Sequence, residues 1–239
     1  MRISENQLKK IIRNIILTES AITPEQLGDD YTVIIKDNGI VPTPLKNLGR
    51  VDMKDRFGDL DPNMILNMAS YSIYIKYKYI DPKLPDPVED LFAELEMRKW
   101  EGMCNDAWEV YWAEVHSDYK MGGFGPLMYD VAMELAGEYG LICDRNNVSY
   151  EAARVWNFYL EIRADVYTED IDIKNCASDM MSTKQIDNIL SDEEYEQPWH
   201  QKVYFSTHYM SGGKQKPTID ALHRARRLEW EGHVYPGEK

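Results

Sequence analysis

The stretch "HSDYKMGGFGPLMYDVAMELAGEYG" at residues 116–140 carries the strongest local pattern in the chain. Three glycines lie within four residues, "GGFG", and a proline follows them directly. From Pro126 onward apolar residues recur at helical spacing as far as Gly140, and glycine commonly ends helices. The pattern predicts a glycine-rich turn that leads into a helix beginning at Pro126 and ending at Gly140.

The segments on either side of this stretch predict an alternation of strands and helices. "AWEVYWAEV" at 107–115 is rich in residues that favour strands, and "LIC" at 141–143 is typical of a short buried strand. A helix is expected to follow with Ser149 as its cap, and another strand is expected near 166–173. The order strand, helix, strand, helix, strand predicts an α/β core.

The preceding part of the chain is predicted to contain two strands and a helix. A strand at 31–37 is followed by Asn38-Gly39, a pair that is typical of turns. In "YSIYIKYKYI" at 71–80, tyrosine and isoleucine alternate with other residues, which predicts a strand with one apolar face. Asp86 is expected to cap a helix over 87–100, because proline is favoured in the first helical position.

Composition argues against several classes of protein. The net charge of −14 disfavours direct nucleic-acid binding, because phosphate recognition needs a basic surface. No run of about 18 apolar residues occurs, so no membrane-spanning helix is expected. The three cysteines are widely spaced and no H-E-x-x-H motif is present, so neither a disulfide framework nor a metal site is predicted. This cysteine pattern fits a reducing compartment such as the cytoplasm.

A glycine-rich turn before a helix is suited to binding anions. The first backbone N–H groups of a helix have no partner within it, and the helix dipole adds positive potential. The stretch is not a P-loop, since no G-K-[ST] follows, and it is not G-x-G-x-x-G, since Met128 stands at the third glycine position. From these residues alone, a tight strand-to-helix turn and a phosphate-binding loop both remain open.

Two short motifs resemble those of the GNAT superfamily of acyl-CoA-dependent N-acetyltransferases. "KMGGFG" at 120–125 is similar to the family's [Gln/Arg]-x-x-Gly-x-[Gly/Ala] loop, and "SYEAARVW" at 149–156 is similar to its Asn-x-x-Ala-x-x-x-Tyr helix. The resemblance covers 107–159 well and the flanks loosely. It implies an α/β (α+β) fold with a mixed, mostly antiparallel central sheet, a splayed pair of strands and flanking helices.

The resemblance also implies acetyl-CoA as the cofactor and an amine, on a protein or a small molecule, as the acceptor. The loop amides would hold the coenzyme A pyrophosphate, and the edge of the preceding strand would pair with the pantetheine arm. The residues implied to bind the cofactor are Val115, Lys120, Gly122, Gly123, Phe124, Gly125, Leu127, Ser149 and Trp156.

The catalytic residues depart from the family pattern. Trp156 stands where the family commonly has a tyrosine acid, so Tyr159, one helical turn later, becomes the candidate acid. Glu114 is the first candidate for the base that accepts a proton from the incoming ammonium, and His116 is the second. Because Ser149 and Trp156 both differ from the motif, a catalytically inactive GNAT-fold structural or interaction protein is the alternative function.

The first nineteen residues predict a separate amphipathic basic helix. This segment resembles leaders of proteins packaged into the heads of large tailed phages, since Leu17-Thr18-Glu19 fits the [Leu/Ile]-x-Glu pattern of head-maturation proteases. Cleavage would then fall after Glu19, residues 1–19 would contact head proteins, and the protein would be phage-encoded and carried in the virion to the host cytoplasm. A helix that docks on the body of the protein is the other interpretation.

The remaining chain is expected to form one unit. Residues 20–30 predict a linker, and residues 31–239 predict a single GNAT-like domain. A strand near 202–209 and a helix opened by Pro217 are expected at its carboxyl end, where they form a helical extension.

Overall fold

The computed structural model describes residues 22–44, 65–79, 86, 88–100, 106–120, 122–144, 148–171, 198–207 and 215–232. They form a mixed α/β structure, which confirms the predicted class: an eight-stranded, mostly antiparallel sheet with three α-helices. The predicted leader at 1–19 lies outside the described residues, so its helix, its cleavage and its phage origin stay predictions.

The elements follow one another in the predicted alternation from residue 108 to residue 170. The strands are β1 (Tyr31–Pro44), β2 (Ile65–Tyr79), β3 (Val88–Trp100), β4 (Trp108–Val115), β5 (Leu141–Ile142), β6 (Val166–Asp170), β7 (Lys202–Ser206) and β8 (Leu228–Glu231). The α-helices are α1 (Phe124–Ala136), α2 (Tyr150–Glu161) and α3 (Pro217–Arg224), and short 3₁₀ helices occupy Ser117–Tyr119, Gly137–Tyr139 and Pro198–Gln201.

The order of strands in the sheet is β6-β7-β5-β4-β3-β2-β1-β8. The neighbours β4 and β5 run parallel, and they pair only where Trp108 meets Leu141 and Glu109 meets Ile142. Beyond Glu109, β4 continues to Val115 without a partner on its β5 side among the described residues. The two strands therefore diverge after one short contact, and a gap opens between them.

Residues 88–100 form strand β3, so the helix predicted there is wrong. Ala93, Leu95 and Met97 alternate with polar residues and are buried, which is the period of a strand with one covered face. Glutamate, leucine, methionine and arginine favour helices in isolation, but β2 and β4 pair with this segment from both sides. Pairing with two neighbours outweighs local propensity here.

The pair Asn38-Gly39 does not end a strand, so the predicted turn is also wrong. Strand β1 continues to Pro44, and its register with β2 shifts between Asp37 and Ile40. Gly39 has φ +73°, and its N–H donates to the Asp37 carboxylate at 2.8 Å. The pair therefore forms a β-bulge, which accommodates a left-handed residue inside a long strand. The alternation predicted over 71–80 is confirmed, since β2 covers it as far as Tyr79.

Helix α1 begins at Phe124, two residues before the predicted start, and ends at Ala136 rather than Gly140. Gly123 caps its amino end with φ +77°, and Gly137 caps its carboxyl end with φ +61°. The helix is buried on nearly every side, because it packs on the sheet and also contacts α3.

A buried carboxylate on α1 holds the start of α3. Glu134 is 3% exposed, and its two oxygens accept the N–H groups of Thr218 and Ile219 at 2.8 and 2.9 Å. These are N–H groups that a helix leaves unpaired at its amino end. Burial raises the pKa of Glu134 to about 7, although the hydrogen bonds from α3 oppose the rise.

Replacing Glu134 by glutamine is expected to change how stability depends on pH. A raised folded-state pKa stabilises the protein below pH 4.5, the ordinary value, and this contribution is lost as pH rises to about 7. The group can contribute a slope of at most about 1.4 kcal/mol per pH unit. Urea denaturation between pH 4.5 and 7.5 should show that Glu134→Gln lacks this slope, while Glu138→Gln on the exposed next turn keeps it. An unchanged slope in Glu134→Gln would contradict the assignment.

Candidate functional site

A cavity of 620 Å³ lies where β4 and β5 diverge. One wall is β4 from Val110 to Val115, and the others are the glycine turn with the first turns of α1 and the first half of α2. The amino ends of both helices therefore border the same space. Such ends carry unpaired N–H groups and positive potential, so the cavity is suited to an anionic ligand.

The three glycines of the turn have different reasons to be glycine. A Cβ at Gly122 would lie 2.6 Å from the ring of Phe124, so this residue is small for packing. Gly123 has φ +77°, a conformation that other residues adopt rarely. A Cβ at Gly125 would meet only Val115, at 3.9 Å, which is ordinary contact. The fold itself therefore does not require glycine at 125, and the space above it is open to the cavity.

Backbone groups at the turn supply the anion-binding donors. The first intrahelical bond of α1 runs from the N–H of Leu127 to the carbonyl of Gly123 at 3.2 Å. The N–H groups of Phe124 and Gly125 precede it, so they have no acceptor within the helix. The amide of Leu127, predicted from the resemblance to bind phosphate, is already engaged, and its side chain is buried.

Aromatic side chains pack around Phe124 and hold the turn in place. The ring of Phe124 lies 4.9 Å from Phe92 and 5.3 Å from Tyr31, and Tyr119 stacks on Phe92 at 4.1 Å. The N–H of Ile22 also donates to the carbonyl of Gly123 at 3.2 Å. The turn is thus preorganised, which lowers the cost of ordering it around a ligand.

Two cationic side chains lie at the rim of the cavity. Lys120 forms an exposed ion pair with Glu151 of α2, with an N–O distance of 3.7 Å, and Arg154 lines the wall one turn further along α2. Ser149 caps α2, because its hydroxyl accepts the N–H of Ala152 at 3.2 Å. The predicted cap is confirmed.

The two predicted bases occupy different positions. Glu114 is exposed on β4, lines the cavity and stands directly opposite Glu94 of β3. His116 lies outside the lining, and its exposed ring is 3.7 Å from the Asp118 carboxylate. Glu109, which no motif marked, also lies outside the lining. It is 5% exposed and is the last residue of β4 that pairs with β5.

Tyr159, the predicted acid, lies outside the lining of the cavity. Its hydroxyl donates toward the carbonyl of Pro126 and the carboxylate of Asp130, each at 2.8 Å. Arg163 completes this buried network with a 3.0 Å contact to Asp130. The pKa of Tyr159 is raised well above its ordinary value by burial and by Asp130. The hydroxyl therefore ties α2 to the first turn of α1.

Tyr129 lines the cavity together with Tyr111 and Tyr119, and no sequence motif marked it. Its ring meets Trp156 edge to face at 5.1 Å, and only 3% of the residue is exposed. Within the described part of the chain its hydroxyl makes no hydrogen bond. Burial raises the pKa of Tyr129, with smaller contributions from Cys143 and Asp144, so the hydroxyl keeps its proton at neutral pH.

The structure brings together most of the residues that the sequence singled out. The predicted residues that line the cavity are Glu114, Val115, Lys120, Gly123, Phe124, Gly125, Ser149 and Trp156. The predicted residues outside its lining are His116, Gly122, Leu127 and Tyr159. The cavity also takes in residues that no motif marked, including Trp112, Tyr129, Asp144 and Arg154.

The described residues contain no group of three or more histidine, cysteine, aspartate or glutamate side chains that could hold a metal ion. Among the same residues, no helix has the length and apolar character needed to cross a membrane.

No family model matches this chain, and no curated protein shows significant similarity to it. The function of the cavity is therefore inferred from its own residues, shape and charge. Three features carry that inference: the diverging strands, the open glycine at the start of α1, and the hydroxyl of Tyr129.

Proposed function

We propose that the protein is an acyl-CoA-dependent N-acyltransferase of the GNAT type, which transfers an acetyl group from acetyl-CoA to an amine. The observation that carries the proposal is the cavity between the diverging strands β4 and β5, with the open position above Gly125 at one end. The mostly antiparallel sheet and its diverging pair of strands support the proposal, because the motif resemblance implies both.

The diphosphate of the cofactor would bind at the glycine turn. The N–H groups of Phe124 and Gly125 would donate to its oxygens, and the dipole of α1 and the ammonium of Lys120 would favour its charge. Lys120 would then exchange its exposed partner Glu151 for phosphate. Because exposed ion pairs contribute little to stability, about 0–1 kcal/mol, this exchange has a low cost.

The direction of β4 sets where the acyl group would lie. Val115 borders Gly125, whereas Glu109 lies at the other end of the strand, where β5 leaves it. An extended pantetheine arm that pairs with the free β4 edge would place the thioester near Val110. A fixed position of this kind lowers the barrier by orienting the thioester toward the amine.

This direction favours Glu109 over Glu114 as the base. Glu114 lies next to Val115, near the expected diphosphate, where a second anion would be repelled. Glu109 lies at the divergence point, next to Val110 of the lining, and would accept a proton from the ammonium of the acceptor through water.

Tyr129 is the acid in this proposal. The neutral amine attacks the thioester carbonyl carbon, the C–S bond breaks, and the departing thiolate takes the hydroxyl proton of Tyr129. The acylated nitrogen then loses its extra proton to solvent, which leaves the amide. Tyr129 regains a proton from solvent. Its unused hydroxyl and its place beside Asp144, just beyond the end of β5, support this role.

A catalytically inactive binding protein of the same fold is the second candidate. Trp156 offers no phenolic proton at the motif position, and the hydroxyl of Ser149 already caps α2. This candidate predicts binding of acetyl-CoA without release of free thiol for any amine. The two candidates therefore share the binding experiment below and differ in the kinetic ones.

Gly125→Ala is expected to weaken the binding of acetyl-CoA about tenfold or more without destabilising the protein. The new methyl group fits the free structure but occupies the space that phosphate needs, and alanine is favoured over glycine in helices by about 1 kcal/mol. Titration calorimetry with acetyl-CoA measures the affinity, and thermal unfolding measures the stability. Gly28→Ala is the matched control, because its Cβ would also make only ordinary contact, at 3.5 Å. Absence of binding to the unmodified protein would overturn the proposed function.

Tyr129→Phe is expected to lower kcat by about 10²–10⁴ while the affinity for acetyl-CoA stays within threefold. The phenyl ring keeps the packing against Trp156 and removes only the proton donor. The assay is release of free thiol from acetyl-CoA with a panel of primary amines. Tyr159→Phe is the control: it should cost about 1–3 kcal/mol of stability through its lost buried hydrogen bonds, with a smaller effect on kcat. Equal loss in both variants would contradict the role of Tyr129.

Glu109→Gln and Glu114→Gln distinguish the two candidate bases. Glu109→Gln is expected to lower kcat by about 10²–10⁴. Glu114→Gln is expected to keep kcat and to tighten the binding of acetyl-CoA, because a negative charge beside the diphosphate is lost. A large loss of kcat in Glu114→Gln, with kcat unchanged in Glu109→Gln, would identify Glu114 as the base.

A further inference from the structure

The cavity between β4 and β5 is lined by side chains from both faces of β4. Its wall takes in six consecutive residues of the strand, from Val110 to Val115. Successive side chains of a strand point to opposite faces of the sheet, so they border one space only where the edge of the strand is open. Val110 belongs to the core with α1, whereas Trp112 and Glu114 are exposed on the other face. A second substrate can therefore enter from the face away from α1.

Two carboxylates on that face stand directly opposite each other. The register of the antiparallel strands places Glu114 of β4 against Glu94 of β3. Side chains in this relation have Cβ atoms about 4.5–5.5 Å apart, and like charges there are destabilising. Within the described part of the chain, neither carboxylate has an ion pair or a side-chain hydrogen bond. A cation bound between the two carboxylates would offset their repulsion.

An exposed indole lies beside this pair. Trp112 comes two residues before Glu114 on the same face of β4 and is 53% exposed. Its neighbour Tyr111 already holds a cation of the chain, because the guanidinium carbon of Arg98 lies 3.3 Å from the centre of the Tyr111 ring. Among the residues that the structure describes, Trp112 contacts no other ring and no cation. Its indole is therefore open to a cationic ligand.

The position of the reaction sets the length of such a ligand. The Tyr129 hydroxyl lines the same cavity, is almost fully buried and makes no hydrogen bond within the described residues, so it is open to a polar group of a ligand. In the proposed function the reacting nitrogen lies near Val110, where the thioester is expected. Trp112 and Glu114 follow two and four residues later, which is roughly 7–13 Å at about 3.3 Å per residue.

We propose that the acceptor is a linear amine with a second positive charge, which Trp112 and the Glu94–Glu114 pair bind roughly 7–13 Å from the reacting nitrogen. This inference rests on the proposed function, because the thioester fixes where that nitrogen lies. The indole attracts the second cation through its ring electrons, and the carboxylates accept its hydrogen bonds. A free diamine and a lysine near another basic residue of a protein share this chemistry.

Kinetics with 1,8-diaminooctane and octylamine test the second charge, because these amines have the same chain and differ at one end only. At saturating acetyl-CoA, the unmodified protein should release thiol with a kcat/KM about tenfold or more higher for the diamine, with the difference in KM. High salt should reduce this ratio, since it screens exposed charges.

Peptides distinguish the two sources of the acceptor. A capped peptide with lysine and arginine two residues apart is compared with the same peptide carrying glutamine for arginine. A larger ratio of kcat/KM for the two peptides than for the two amines would identify a basic protein segment as the acceptor. A smaller ratio would identify a free diamine. Either ratio supports the second charge when it is well above one.

Substitutions in the cation site should act on the diamine alone. Glu94→Gln and Trp112→Leu are each expected to lower kcat/KM for 1,8-diaminooctane about fivefold and to leave that for octylamine within twofold. Leucine keeps an apolar contact with the chain of either amine and removes the aromatic ring. Glu94→Gln combined with Glu114→Gln should bring the ratio of the two amines close to one.

Matched controls separate these effects from changes in net charge or fold. Glu169→Gln removes an exposed carboxylate from β6, and Tyr167→Leu removes a half-exposed aromatic ring from the same strand. Both should keep the preference of the unmodified protein for the diamine, and circular dichroism should show every variant folded.

The outcomes distinguish this inference from the proposed function. If the unmodified protein releases no thiol with any of the amines or peptides, the proposed catalysis falls and the acceptor class falls with it. If it acetylates octylamine as efficiently as 1,8-diaminooctane, the acceptor class alone is overturned. A preference for the diamine that survives in Trp112→Leu and in the double glutamine variant overturns the assigned site as well.

Discussion

The site depends on one constraint, which is that β4 and β5 pair over two residues only. Large aromatic rings of the core border this gap. Trp156 is 1% exposed and packs 5.1 Å from Tyr129 and 4.7 Å from Tyr204. Further pairing of β4 with β5 would require moving these rings out of a packed core, which is costly. The free edge of β4 and the cavity beside it both follow from the short pairing of the two strands.

The glycine turn shows how one short segment meets structural and functional demands together. Gly122 gives space to the ring of Phe124, Gly123 provides the left-handed cap, and Gly125 leaves an opening above the first helical amides. A glycine in the first turn of a helix lowers stability relative to alanine, and the packing around Gly125 offers no compensation. An uncompensated local cost of this kind is expected where a ligand must approach the backbone.

The sequence predicted the parts of the fold that depend on local signals. The core from β4 to α2 was identified because a glycine turn, a proline and a serine cap mark its boundaries within a few residues. Strand β3 was missed because its composition favours a helix and its pairing with β2 and β4 is not visible locally. Asn38-Gly39 was misassigned for a related reason, since a bulge and a turn use the same backbone conformation at glycine. Tyr129 escaped notice because its place in the cavity depends on how α1 packs against α2, a relation that spacing along one helix does not encode.

The charges around β4 differ between the two faces of the sheet. Register places Glu94 opposite Glu114 and Arg98 opposite Glu109, and these residues share the face that points away from α1. The amino ends of α1 and α2 offer positive potential at the cavity, whereas the β3–β4 face offers carboxylates. An anionic cofactor and a cationic acceptor would therefore approach the β4 edge from different sides. Each would be repelled from the place of the other, so the arrangement would order the two substrates before any contact specific to the acceptor is made.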